Sequence, residues 1–270
     1  MKKLKIGIIG VGRLGYEHAC NIANRVPGSE LVAIADANFD RAKQVAEELG
    51  VTAVYNDPKA LCADPNVEAV AIITNTASHV EMIKIAMDAG KHVFCEKPLA
   101  DTVEKCKEAE AIIAAHPELT FMLGFMRRYD HSYQVAKKKM ENGDIGDVIL
   151  VRCYSQDPIS IIEGTLEYAP RSGGQFIDMS IHDFDLIRWL TGSEVKELWA
   201  TGGCYEFKQY KDWDDGDNVS GLMKMENDAM AFFFAGRAAA HGSHVETEIV
   251  GTRSTLRIAS VFRLILRSRL

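Results

Sequence analysis

Asp178 and His182 lie four residues apart in a run, 175–190, whose apolar residues recur at helical spacing. Both side chains are therefore expected on one helix face, with Asp185 and then Trp189 following on it. A neutral imidazole can take a proton from an alcohol, and a neighbouring carboxylate stabilises the cation that forms. From spacing alone the pair reads equally well as an ion pair on a helix surface. Lys97, in Glu96-Lys97-Pro98, follows the apolar run 92–95 and is expected at the carboxyl end of a parallel strand. There its ammonium can serve a reacting oxygen, with Pro98 fixing the turn that presents it; a solvated surface lysine is the commoner meaning of such a residue. A third segment, Gly124-Phe125-Met126-Arg127-Arg128-Tyr129-Asp130, ends the last strand of the first half and is placed to line a cleft between domains.

A nucleotide site is also written in the first residues. Gly10-Val11-Gly12-Arg13-Leu14-Gly15 is G-x-G-x-x-G, and it follows an apolar strand and opens a helix, the context that gives the pattern meaning. Gly10 permits the tight turn, Gly12 lets backbone approach a pyrophosphate, and Gly15 allows close helix–strand packing. The helix N-terminus adds unpaired N–H groups and positive dipole. Asp36, 21 residues after Gly15, is placed for the adenosine ribose hydroxyls, and its charge repels a 2′-phosphate. NAD is accordingly expected over NADP, with Arg41 close enough in sequence to complicate the choice.

Elements must hold these groups in place. In the first half, strand-like runs at 5–9, 31–35, 67–73, 92–95 and 120–125 alternate with helical patterns at 14–25, 40–49, 79–89 and 103–115. Ser78 with Glu81 reads as a capping box, Gly50 and Gly90 as helix ends, and Asp57-Pro58 as a helix start. Such alternation predicts a doubly wound α/β domain on a parallel sheet. The second half has a helix near 132–142, a strand at 148–154 leading into a loop, and the helix at 175–190. Strand-like runs alone then follow at 195–202, 218–225, 230–235, 244–250 and 255–258, predicting an open, mainly antiparallel sheet. The domains are thus expected at 1–124 and 125–270.

Composition narrows the class. A length of 270 residues, 47% hydrophobic and 26% charged with seven prolines, supports a folded core and argues against disorder. The formal charge of −7 disfavours nucleic-acid binding through phosphate contacts. The six cysteines, at positions 20, 62, 95, 106, 153 and 204, form no Cys-x-x-Cys pair and read as reduced, mostly buried thiols. The lysine-rich start meets glycines and Arg13 without a cleavage site, and no apolar run is membrane-length. The expectation is a cytoplasmic protein with no membrane partner.

Taken together, the glycine fingerprint, Glu96-Lys97-Pro98, the 124–130 run and Gly173-Gly174-Gln175-Phe176-Ile177-Asp178-Met179-Ser180-Ile181-His182-Asp183 resemble the Gfo/Idh/MocA oxidoreductase family, and within it the inositol 2-dehydrogenases. The resemblance implies an N-terminal NAD-binding Rossmann domain and a second, substrate-binding domain whose open sheet mediates oligomerisation, often as a tetramer. It implies Lys97, Asp178 and His182 as the catalytic group, with Arg127 and Asp157 holding a polyol beside Met126 and Met179. The cofactor set becomes Gly10, Gly12, Arg13, Leu14, Gly15, Asp36, Thr74, Asn75, His79, Glu96 and Lys97. One departure bears on substrate identity: Ser243, in His241-Gly242-Ser243-His244, stands where an aromatic is expected.

Other features are assigned no chemistry. His241 and His244 are expected on opposite faces of a strand rather than as a metal pair. Residues 212–217 (Asp-Trp-Asp-Asp-Gly-Asp) read as a surface loop, because the glycine is misplaced for calcium and no glutamate closes the loop. Lys137-Lys138-Lys139 reads as a solvated helix face, and the glycosylation pattern at Asn218 is set aside with the cytoplasmic expectation. From Ala259 to Leu270 the chain carries three arginines, no acids and no turn signal, so a truncated second sheet is expected there, with an ordinary basic edge strand as the alternative. The rival functions are a sugar reductase, an NAD-retaining glycosidase of the same superfamily, and a non-catalytic NAD binder.

Overall fold

Apolar strands that must be covered on both faces explain the architecture of the first half. The computed structural model describes residues 2–259, in two compact units, Met1–Gly124 and Phe125–Leu270. In the first unit the chain runs β1 (Leu4–Ile9), α1 (Arg13–Asn24), β2 (Ser29–Ala35), α2 (Phe39–Leu49), β3 (Ala53–Tyr55) and α3 (Pro58–Ala63). It continues through β4 (Ala69–Ile72), α4 (His79–Asp88), β5 (His92–Cys95), α5 (Val103–Ala114) and β6 (Phe121–Leu123). All six strands are parallel, in the order β3-β2-β1-β4-β5-β6. The order reverses beside β1, so the crevice at the carboxyl ends of β1 and β4 is the topological switch point where such sheets bind ligands.

Two apolar layers sandwich this sheet. Ile8, Ile34 and Ala71 pack with Ala19 and Ile22 of α1 and Val45 of α2. Ile9, Val70, Ile72 and Val93 pack with Leu61 of α3, Ile83 and Met87 of α4 and Ala109 of α5. Each fully buried aliphatic side chain contributes about 1.5–3 kcal/mol relative to exposure. The Asp57-Pro58 start is present, since the Asp57 carboxylate accepts from Lys59 N with Pro58 in the first turn. The capping box at Ser78 is not. Ser78 Oγ lies instead within hydrogen-bonding distance of Thr74 Oγ1 (2.7 Å) and Asn75 O (2.9 Å), because a 3-10 turn, Thr76–Ser78, precedes α4. The short β3 gave too few residues for a period.

The second unit holds α6 (His131–Glu141), β7 (Val148–Pro158), α7 (Ile162–Tyr168), α8 (Gln175–Asp178) and α9 (Ile181–Thr191). Then come β8 (Val195–Gly203), β9 (Asn218–Met225), β10 (Met230–Ala239), β11 (His244–Gly251) and β12 (Thr255–Ala259). The sheet order is β12-β11-β7-β10-β9-β8, antiparallel except that β7 and β10 run parallel. That one parallel pair is possible because three helices and a hairpin separate the two strands in the chain. One sheet face packs Val151, Cys153, Met223, Phe233 and Ile249 with Leu186, Ile187 and Leu190 of α9. The opposite face presents Trp199, Leu222 and Met230, all about half exposed or more. The expectation for the C-terminal segment falls on residues 260–270, outside the described residues.

Several expectations need correction. The helix expected over 175–190 is two helices, because Ser180 N reaches back five residues and shares Gln175 O with Met179 N. The loop expected after residue 154 contains α7. His241 and His244 do not face opposite ways: a turn after β10 brings their rings into edge-on contact at 5.5 Å. Asp217 is not in a surface loop either. It is fully buried and accepts from the backbone N–H groups of Tyr205, Glu206 and Phe207. Lys137 is only half-solvated, with Nζ donating to Trp189 O.

Candidate active site

At the carboxyl edge of the first sheet, the fingerprint glycines have distinct steric reasons. A Cβ on Gly10, whose φ is +91°, would lie 2.5 Å from Ile73 O. One on Gly15 would lie 2.0 Å from Gly10 O, so α1 can begin this close to β1 only with glycine there. A Cβ on Gly12 would meet nothing within 4 Å, which leaves open space above the loop. Asp36, at the end of β2, closes the loop from the side. Its Oδ2 accepts from Val11 N (2.7 Å) and its Oδ1 from Asn38 N (2.8 Å). Arg41 Nε donates to Val11 O (3.2 Å), and the guanidinium lies over the Tyr16 ring. Asp36 is thereby held with its charge beside the glycine turn.

Lys97 follows β5, half-buried, with a cis peptide to Pro98. Its backbone N–H donates to Glu96 Oε2 (3.0 Å), and Glu96 Oε1 meets His18 Nε2 at 2.9 Å. The turn is thus tied to α1. His79, expected at the cofactor, is buried beneath this turn, with Nδ1 against Pro98 O (2.8 Å) and Nε2 against Thr74 O (3.4 Å). Burial holds its imidazole below the usual range, although the carbonyl of Pro98 pulls the other way. His79 therefore joins the Lys97 turn to the Thr74–Asn75 turn after β4.

The second unit concentrates charge. Asp178, at the end of α8, has its Oδ2 2.6 Å from Arg237 Nη2, and Arg237 Nη1 lies 3.7 Å from Asp157 Oδ2. Burial, followed by the Asp178 charge, raises the phenol pKa of Tyr168 on α7. His182, in the first turn of α9, is 6.3 Å edge-on from Phe125. The next residue, Asp183, is fully buried, accepting from Arg127 Nη1 (2.6 Å) and Ser155 Oγ (2.7 Å). Burial raises the Asp183 carboxyl, opposed by the Arg127 charge and these two hydrogen bonds.

Arg127 was expected on substrate, but two of its guanidinium nitrogens are committed to Asp183 and Ser155. Asp185, expected with the Asp178–His182 face, takes Arg128 in a two-bond fork at 2.8 and 2.7 Å. Met126 is exposed, while Met179 is half-buried and packs toward the unit's core. Arg237, Ser155 and His18 were missed. For Arg237 a signal existed, since an arginine shares the inward parity of Ala231, Phe233 and Ala235 on an apolar strand.

Among the described residues no group of three or more His, Cys, Asp or Glu side chains could hold a metal, and all six cysteines are free.

Comparison with known proteins covers both units. A family model described as the oxidoreductase family GFO/IDH/MocA, NAD-binding Rossmann fold, matches residues 4–125, and one for the GFO/IDH/MocA C-terminal domain matches residues 133–257. A scyllo-inositol 2-dehydrogenase (NAD+) of Bacillus subtilis is 34% identical across 96% of this chain and 75% of its own. A myo-inositol 2-dehydrogenase of Thermotoga maritima is 35% identical across 94% and 74%. The crystal structure of scyllo-inositol dehydrogenase from Lactobacillus casei with bound NAD(H) and scyllo-inositol superposes with a TM-score of 0.91 at 42% identity, covering 96% of this chain and 77% of that one.

Proposed function

The chain belongs to the Gfo/Idh/MocA oxidoreductase family, and from that premise we propose that it oxidises one secondary hydroxyl of an inositol to the ketone, as an NAD-dependent inositol 2-dehydrogenase. It is an NAD-dependent oxidoreductase acting on CH–OH groups. The match to inositol dehydrogenases across both units carries this reading, at 94–96% of the chain.

The glycine turn fits the cofactor, because Gly12 has open space where a Cβ would stand while Gly10 and Gly15 have none. Gly10, Gly12, Arg13, Leu14 and Gly15 would hold the pyrophosphate at the start of α1. Asp36 would meet the ribose hydroxyls, with Thr74, Asn75 and Glu96 flanking the same edge. When bound, NAD supplies the hydride acceptor.

A secondary alcohol gives up hydride only as its O–H loses its proton. In this proposal His182 takes that proton at its imidazole, oriented by Asp178, while the Lys97 ammonium stabilises the developing alkoxide. Asp157 accepts from polyol hydroxyls, beside Met126 and Met179. Arg127 acts through Asp183, on which two of its nitrogens converge directly or through Ser155.

The test is NADH formation against myo-inositol, scyllo-inositol and aldoses. Net NADH with an inositol is expected. Aldose turnover alone would move the reading to a sugar dehydrogenase, and glycoside cleavage without net NADH would overturn it.

A homo-oligomer built on the exposed second-sheet face belongs to the same proposal, supported by Trp199, Leu222 and Met230 standing open there. No described helix is long and apolar enough to cross a membrane. A cytoplasmic location follows from the proposed reaction, which needs a compartment that regenerates NAD.

A further inference from the structure

We propose that Arg237 is a positioning residue of the active site, a buried cation that fixes the Asp178 carboxylate and ties it to Asp157. The proposal rests on the catalytic reading of Asp178 given above. Arg237 is 4% exposed on β10, at the parity that elsewhere carries Ala231, Phe233 and Ala235 into the core. A guanidinium loses its hydration there, whereas an apolar side chain would pack the strand at no such cost. What distinguishes the arginine is what it reaches.

Its Nη2 is 2.6 Å from Asp178 Oδ2 and its Nη1 is 3.7 Å from Asp157 Oδ2. These two carboxylates come from different elements, α8 and the end of β7. The parallel pairing of β10 with β7, which sets Gly236 opposite Gln156, brings Arg237 beside Asp157. The arginine's own backbone is pinned, since its N–H donates to Asp217 O at 2.9 Å. Its planar fork can serve two carboxylates at fixed spacing, which a lysine point charge cannot.

Without Arg237, α8 has lost the ion pair to β10 that orients Asp178, and Asp157 has lost the guanidinium 3.7 Å from its Oδ2. The step that suffers is proton transfer through His182, because that step needs the carboxylate in register. Polyol binding is expected to suffer less, because Arg237 holds Asp157 more loosely, at 3.7 Å, than it holds Asp178, at 2.6 Å.

The experiment compares wild type, Arg237→Met and Arg237→Lys as full-length protein, in NADH formation with an inositol. The methionine variant is expected to lose about 100-fold in kcat, the scale of an ångström-sized misplacement, with KM little moved. Arg237→Lys, and guanidinium ion added to Arg237→Met, are expected to restore part of that loss. An unchanged kcat overturns the proposal, as does a loss that neither lysine nor guanidinium relieves. A second readout needs no turnover: the melting temperatures of Arg237→Met, Asp178→Asn and the double variant. The double variant is expected to melt no lower than the worse single variant, and fully additive losses refute the pair. A wild type inactive on every polyol would refute the proposed reaction, while the melting cycle still decides the pairing.

Discussion

Replacing Arg127 by methionine asks whether α9 is anchored by charge or by packing. Arg127 is 8% exposed and Asp183 not at all. The change removes the 2.6 Å bond to Asp183 and the 2.8 Å bond to Ser155, leaving Asp183 only the Ser155 hydroxyl. Breaking a buried pair from one side typically costs about 3–5 kcal/mol, because the remaining charge is uncompensated. The carboxyl has an escape, which is to take a proton. Burial already raises Asp183 in the wild type, and Arg127 is the largest influence holding it down. In the variant its folded pKa therefore rises further above the unfolded value of about 3.9. A carboxyl raised in the folded state binds protons more tightly there, so stability is highest at low pH and falls as pH rises from the unfolded towards the folded pKa. The slope for one group is about 1.4 kcal/mol per pH unit. Urea unfolding at pH 5.5 and pH 8 reads both quantities through the midpoint. The variant should be destabilised at both, and more at pH 8. Arg127→Met with Asp183→Leu should recover much of the loss, since an apolar pair leaves no buried charge. A pH-independent penalty, or a double variant no better than the single, would refute the electrostatic account.

Three further outcomes are expected. Lys97→Ala and His182→Ala should each collapse NADH formation while NAD still quenches intrinsic fluorescence as in the wild type; full turnover in either removes that residue from the mechanism. Gly15→Ala places a Cβ 2.0 Å from Gly10 O, so NAD should no longer raise the melting temperature, and an undiminished shift would contradict the steric argument. Leu222→Glu puts a charge on the exposed second-sheet face without entering the core, and sizing chromatography should show a smaller species.

The first unit was legible because its signals are local. A strand followed by G-x-G-x-x-G, an acid after the second strand and Lys-Pro after the fifth each declare themselves within a few residues, and the parallel sheet then puts all of them on one edge. For His79 the position in the chain, just after the β4 turn, says nothing of whether its ring points out or in, and only the fold places the ring between Pro98 O and Thr74 O. The second unit was legible as strands but not as pairings. Nothing local says that β10 should lie parallel to β7, and only that pairing brings Arg237 beside Asp157. The break between α8 and α9 was hidden for a similar reason. Residues 175–190 carry one continuous apolar pattern, while the break is a change in a few backbone hydrogen bonds, Ser180 N reaching back five residues and His182 N and Asp183 N only three.

The same break changes how His182 is held. Between Asp178 and the body of α9 the helical ladder is interrupted, with Ser180 N reaching back five residues to Gln175 O and Asp183 N reaching back only three, to Ser180 O. The three aspartates of this stretch then meet three different arginines: Asp178 takes Arg237 from β10, Asp183 takes Arg127, and Asp185 takes Arg128. Arg127 and Arg128 both come from one 3-10 turn, Met126–Tyr129. An apolar face alone fixes a helix against a sheet but tolerates small sliding, because dispersion contacts are many and individually weak. Charge-assisted bonds at 2.6–2.8 Å on both sides of His182 tolerate far less. The stretch that would carry the proton-accepting imidazole is therefore located by ion pairs to neighbouring elements as well as by its core face. Variants that remove those arginines should blur its position before they unfold the sheet.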